Sequence, residues 1–133
     1  MLILTCPLFR QLPEWEAHKT TFEDYKNGIQ PDMYGRDASL DLPDVYHIHL
    51  AQDEHVEKRW HGITKVYYRT HEVGKPEEDF WLLYAYDDVE DSYLLLTIIG
   101  PSAHDRSKWR NYFRNIYSAI VSPWISGRGD DIW

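Results

Sequence analysis

Two apolar runs, DFWLLYAY at 79–86 and SYLLLTIIG at 92–100, flank the acidic pentapeptide DDVED. Each run has the length of a strand, and the polar break between them has the length of a tight hairpin turn, so this stretch predicts an antiparallel pair. Two further β-rich runs precede it, VYHIHLA at 45–51 and TKVYYRT at 64–70, separated by polar or Gly/Pro segments. Four neighbouring strands in succession point to a mostly antiparallel sheet.

Helical signals flank this block. PEWEAHKTTFEDYKNG at 13–28 places Pro13 in a first turn and acids early. Trp15, Phe22 and Tyr25 follow at near-helical spacing, and Gly28 stands as a stop. From Ser102 onward, Trp109, Tyr112, Phe113, Ile116, Tyr117 and Ile120 form one stripe that runs up to Pro123. A strand is expected over residues 2–9. Residues 30–44 hold Pro31, Gly35 and Pro43 among Asp and Ser, which is loop chemistry. The expected architecture is α+β: a mostly antiparallel sheet with an N-terminal and a C-terminal helix, in one domain over 1–122. A tail of loop composition follows over 123–133, with no internal repeats or low-complexity segments.

Composition narrows the function classes. The chain has 133 residues, 43% hydrophobic and 15% aromatic, which is enough for one compact core. Six Trp and ten Tyr exceed ordinary core needs, and such rings often sit half-exposed where something binds. Cys6 is the single cysteine, which rules out an internal disulfide and a cysteine zinc site and fits a reducing cytosol. The opening MLILTCPLFR lacks the basic start of a signal peptide, and no apolar run approaches the roughly 18 residues of a membrane helix. A soluble, cytoplasmic protein without a membrane partner is expected. The net charge of −8 argues against sequence-independent binding to a nucleic-acid backbone but leaves room for a local basic cleft.

The chemistry centres on GRDASLDLPDVYHIHLA at 35–51. A period of two puts His47 and His49 on one strand face and Tyr46, Ile48 and Leu50 on the other. Imidazoles on a sheet face can transfer protons near neutral pH or can simply be hydrogen-bonded under a loop. Arg36 can clamp phosphate, and Asp37 can orient a histidine or hold Arg36. The competing view is a self-contained turn in which Gly35 supplies an unusual φ and Asp37 caps the loop. His104 follows the last strand, where a chain leaving a sheet can present a side chain at the rim. Lys65 and Arg69, four apart in TKVYYRT with Tyr67 between them, would share a strand face and make an RNA backbone track with a stacking ring, or an ordinary solvated face. Arg106, Lys108, Arg110 and Arg114 could face RNA or form the wet side of the last helix. Arg128-Gly129-Asp130 spells an adhesion tripeptide by coincidence.

FEDYKNGIQPDMYGRDASLD, with YHIHLA after it, resembles the signature of the YafO family, toxins of bacterial type II toxin-antitoxin pairs. The similarity extends to an N-terminal strand before Arg10, the WLL strand at 81–83 and the Pro-x-x-His at Pro101 to His104. The resemblance implies a RelE-like toxin fold and a ribosome-dependent mRNA interferase, an endoribonuclease that acts on mRNA at the ribosome. It also implies a cognate antitoxin and a reaction that uses no metal or other cofactor. The RNA's own 2′-hydroxyl would be the nucleophile, so the protein would supply a base, an acid and positive charge. His47, His49 and His104 are then the acid-base candidates, with Arg36 and Asp37 beside them and Lys65, Tyr67, Arg69 and Arg106 on the RNA.

Two other classes remain open on the residues alone. His47, His49 and Glu54 spell H-x-H-x4-E, a spacing found in metal-binding cupin barrels, although the preceding glycine and a second ligand motif are missing and two helices suit a barrel poorly. A non-enzymatic module could instead use its aromatic surface, including the Trp124 to Trp133 tail, for a protein partner.

Overall fold

The computed structural model describes residues 1–127. Five strands form one sheet in the order β1-β5-β4-β3-β2: β1 Leu2–Thr5, β2 Tyr34–Ser39, β3 Val45–Leu50, β4 Phe80–Asp87 and β5 Ser92–Ile99. β1 lies parallel to β5 and every other pair is antiparallel, so the α+β class with a mostly antiparallel sheet holds. The helices are α1 Trp15–Lys26, α2 Glu54–His61, α3 Arg106–Ile116 and the short α4 Ser122–Ile125. No helix among the described residues is long and apolar enough to cross a membrane.

The hairpin of β4 and β5 forms as its two apolar runs require. Leu82, Leu83, Ala85, Leu94, Leu95 and Leu96 are buried within one hydrophobic cluster that also takes in Phe9, Phe22 and Ile48. At about 25 cal/mol per Å² of apolar surface, burial of this size is the main favourable contribution to folding. The β3 alternation is also realised. Tyr46 stacks on Tyr84 with ring centroids 5.3 Å apart, while His47 on the other face lies 4.1 Å from the Trp81 ring. Helix α1 closes the tyrosine face, where Phe22 meets Tyr84 at 5.1 Å and Tyr93 at 5.6 Å, edge to face.

Three local expectations change. The expected strand over 2–9 ends at Thr5 and is followed by a 3₁₀ turn, Phe9–Gln11. Residues 34–39, expected in a loop, form edge strand β2, because pairing with β3 outweighs the local turn chemistry. The register shifts between Tyr34 and Asp37. Gly35 is required there, since a Cβ would overlap the Arg69 carbonyl oxygen. Residues 64–70, expected as a strand, contain only a 3₁₀ turn, Val66–Tyr68, so Lys65 and Arg69 share no strand face. Instead the Arg69 carbonyl accepts the Arg36 N–H at 3.0 Å, and Arg69 Nε donates to the Ile63 carbonyl at 3.0 Å.

Helix α2 was unexpected, yet its ends follow capping rules. The Asp53 side chain accepts the Val56 N–H at 3.0 Å, Glu54 and Glu57 sit in the first turn, and Lys58, Arg59 and His61 sit in the last. The C-terminal stripe becomes α3, a π-helical turn Tyr117–Val121 and α4, whose Trp124 is buried in the core. Arg128-Gly129-Asp130 and Trp133 lie outside the described residues.

Candidate functional site

Three pieces of chain meet at one end of the imidazole face. Strand β3 contributes His47 and His49, which register against Leu83 and Trp81 of β4. The segment entering β4 contributes Asp79, 2% exposed, and the turn leaving β5 contributes His104. These last two segments are sewn together. Ser102 N–H donates to the Pro76 carbonyl at 2.9 Å and Ala103 N–H to the Asp79 carbonyl at 3.1 Å. Gly100, at φ +144, passes so close to Phe80 that any Cβ would overlap its ring. Helix α3 is tied to the same turn, because Trp109 Nε1 donates to the Ser102 carbonyl at 2.9 Å.

Asp79 organises the centre. Its carboxylate accepts the His104 backbone N–H at 2.7 Å and lies 2.8 Å from His104 Nδ1 through both oxygens. A carboxylate only accepts, so Nδ1 carries the proton and the tautomer is fixed with Nε2 turned away from Asp79. Burial pushes the Asp79 carboxyl upward, but the His104 side-chain and backbone hydrogen bonds outweigh it and hold the group below its usual value. His71 approaches the same carboxylate, with Nδ1 at 3.6 Å from Oδ1 and its ring 4.5 Å from that of His104. Helix α2 holds the His71 segment in place, since Arg59 and Trp60 Nε1 both donate to the Thr70 carbonyl at 3.0 Å.

The two β3 histidines lie deeper than His104. Burial, then the neighbouring His104, lowers His47 to about 4. Burial, then His47 and His104, lowers His49 to about 3. Both are therefore neutral imidazoles at pH 7. His47 Nδ1 and His49 Nε2 are buried with no hydrogen-bond partner among the described residues. The His104 side chain is 44% exposed and is the most open of the four histidines in this group.

A cleft of about 430 Å³ opens onto this group. It is lined by His47, Trp81 and His104, by Arg106, Arg110, Arg114 and Phe113 of α3, and by the Ser39–Leu42 turn. Arginines four apart lie along one side of a helix, so the three guanidinium groups converge on the cleft. Asp41 pairs with Arg106 at 3.3 Å, but both side chains are more than four-fifths exposed and the pair contributes little. A chain of net charge −8 thus carries a local cationic cleft. An imidazole of fixed tautomer facing several guanidinium groups suits a phosphodiester, whose oxygens match the arginine fork while the histidine moves a proton.

A family model for the YafO toxin of type II toxin-antitoxin systems matches residues 23–126. The chain belongs to the YafO toxin family. Membership in a type II toxin-antitoxin system brings with it an antitoxin partner. No curated protein and no solved structure is matched significantly by the chain.

The YafO toxin structure sorts the sequence candidates into three groups. It brings His47, His49 and His104 together and puts Arg106 on the cleft that His47 and His104 line. It places Arg36 and Tyr67 as a pair near by: the guanidinium stacks 4.0 Å over the Tyr67 ring, and Nε donates to the Tyr67 carbonyl at 2.7 Å. It separates Asp37 from the histidines. That carboxylate accepts from Tyr25 at 2.7 Å and from Tyr84 at 2.8 Å, on the tyrosine face under α1, and it neither orients a histidine nor holds Arg36. The H-x-H-x4-E reading dissolves as well, because Glu54 is exposed at the start of α2 and the sheet is open. Sequence reasoning missed His71 and Asp79. Asp79 was hidden in the acidic run EED, where only the apolar run after it hints that one acid enters the sheet buried.

Proposed function

We propose that this YafO-family toxin is a cytoplasmic mRNA interferase that cuts messages in translating ribosomes and thereby stops translation and growth. One observation carries the reading: the Asp79-held ring of His104 lines the same cleft as Arg106, Arg110 and Arg114.

The message lies in the cleft with a phosphate toward the α3 guanidinium groups and a base against Trp81. The 2′-oxygen attacks the adjacent phosphorus, an O–P bond forms, and the bond to the 5′-oxygen breaks to leave a 2′,3′-cyclic phosphate and a 5′-hydroxyl. His47, neutral at pH 7, receives the 2′-hydroxyl proton. His104 delivers a proton to the departing 5′-oxygen, and Asp79 compensates the charge its ring carries beforehand. The arginines stabilise the extra negative charge of the phosphorane. His49, behind His47, packs the pair in place rather than meeting RNA. Arg36, stacked on Tyr67, extends the cationic surface beyond the cleft. The acidic remainder of the chain keeps affinity for free RNA low, so the ribosome presents the substrate.

A reconstituted translation reaction tests this reading. The toxin should cut an mRNA that is being translated and leave the same RNA intact when ribosomes are omitted at physiological salt. Equal cutting of naked RNA would remove the ribosome from the account, and no cutting in either reaction would remove the nuclease.

A further inference from the structure

The dyad of Asp79 and His104 accounts for only part of the cluster it sits in. His49, His71, Asp79 and His104 each offer a ligand atom, and these four atoms all lie within 4.8 Å of one another. We propose that they form a binding site for one divalent transition-metal ion of the zinc type, and that the bound ion withdraws the His104 ring from proton transfer.

Two orphaned atoms point to a ligand independently of the clustering. His49 Nε2 and His71 Nδ1 are buried without a hydrogen-bond partner among the described residues. A buried imidazole nitrogen left bare is unfavourable, so two of them beside one carboxylate call for an occupant. The donor set selects the ion. Three imidazoles and one carboxylate suit zinc and its first-row neighbours, whereas calcium and magnesium prefer oxygen throughout. The geometry is within reach. Ligand atoms around tetrahedral zinc are about 3.4 Å apart, given metal–ligand bonds near 2.0–2.1 Å, so no separation has to close by more than roughly 1.4 Å. His71 can supply that movement, because it sits in the loop before Pro76–Glu78 with its side chain 23% exposed. Asp79 has acceptor capacity to spare and can keep the His104 backbone N–H while one oxygen turns to the ion. His47 lies outside the ligand set and stays against Trp81.

The inhibitory half of the proposal rests on the nuclease reading above, whereas the site itself does not. The test uses full-length protein without a histidine tag, stripped by a chelator. Zinc binding is measured by competition with a chromophoric chelator, and cobalt(II) absorption reports the coordination. One ion per chain is expected, with the visible absorption of a four-coordinate cobalt site. His71→Gln, a residue with no part in the proposed cleavage, should weaken zinc binding by more than the 10–100-fold that loss of an outer-shell partner costs. His71→Cys, which exchanges one zinc ligand for another, should restore it. Stoichiometric zinc should block translation-dependent cleavage by the wild type and spare His71→Gln. Failure of the wild type to bind zinc, or binding unchanged in both His71→Gln and His49→Ala, overturns the site. Zinc bound with cleavage unaffected overturns the inhibition alone. Zinc bound in the expected pattern by a protein that cuts nothing even when metal-free sustains the site and overturns the nuclease reading.

Discussion

Replacing Asp79 by Asn is the perturbation that separates the proton-transfer role of the dyad from its role in the fold. Asp79 is 2% exposed, and its carboxylate accepts from both the backbone and the ring of His104. An asparagine fills the same volume, and its oxygen can still accept the backbone N–H. Its NH₂ must then face His104 Nδ1, which can only accept from it, so the ring flips to the tautomer with the proton on Nε2 and loses the compensating charge behind it. One charge-assisted hydrogen bond is lost, at a stability cost of about 1.5–3 kcal/mol. Cleavage loses the carboxylate that faces the proton-donating ring, and general acid-base catalysis contributes about 10²–10⁴-fold, so the variant should cut at least about 100-fold more slowly. The assay is single-turnover cleavage of translated mRNA with chelator present, paired with urea unfolding to show that the protein is folded at the assay temperature. A folded Asp79→Asn toxin that cuts within threefold of the wild type would refute the reasoning, because His104 would then act without its partner.

The other predictions rest on separate parts of the molecule. Arg110→Ala and Arg114→Ala should each reduce cleavage about tenfold, equivalent to about 1.4 kcal/mol, and leave unfolding midpoints unchanged; loss of stability instead would make α3 a structural brace. Asp37→Asn should behave in the opposite way, losing about 1–3 kcal/mol in urea titrations as the bonds from Tyr25 and Tyr84 weaken, with cleavage per folded molecule unaltered. Gly35→Ala should cost more than the 1–3 kcal/mol of ordinary overpacking, since the added Cβ collides with backbone at Arg69 and not with a movable side chain. Acid should destabilise the metal-free protein in a defined window. His47 and His49 are held at about 4 and about 3, below the 6.5 of an ordinary histidine, so the unfolded chain takes up protons that the folded chain refuses. Their contribution is complete above pH 6.5 and falls as pH drops toward 4, by up to about 1.4 kcal/mol per pH unit for each. Urea midpoints that stay flat between pH 6.5 and 4.5 would show that the buried rings titrate normally.

The parts of this fold that were legible in the sequence are those whose local pattern and tertiary role agree. DFWLLYAY and SYLLLTIIG are strands by themselves and by pairing, and the YHIHL alternation separates an imidazole face from a tyrosine face as its period requires. Where the two disagreed, tertiary pairing won. YGRDAS carries turn residues, yet becomes β2 because the exposed edge of β3 is available to it. TKVYYRT carries strand residues, yet it meets edge strand β2 through the bond from the Arg36 N–H to the Arg69 carbonyl and forms no strand of its own, and Tyr67 and Tyr68 are each 59% exposed beside a 3₁₀ turn. Helix α2 was overlooked although Asp53 as cap, early acids and Gly62 after the last turn were all on view in DEHVEKRWHG. At the site, the histidines could be nominated from the sequence because imidazoles alternating on a strand are unusual. The partner that orients His104 could not, because Asp79, 25 residues away, is chemically identical to its acidic neighbours until the fold buries it.

The most direct test of the central claim is primer extension on cellular mRNA after induction of the wild-type toxin and of His104→Ala, with both proteins shown to be folded by circular dichroism. The account predicts new 5′ ends inside translated frames, together with growth arrest, for the wild type and neither for His104→Ala. Intact messages under the wild type, or unchanged cleavage by the folded variant, would contradict it.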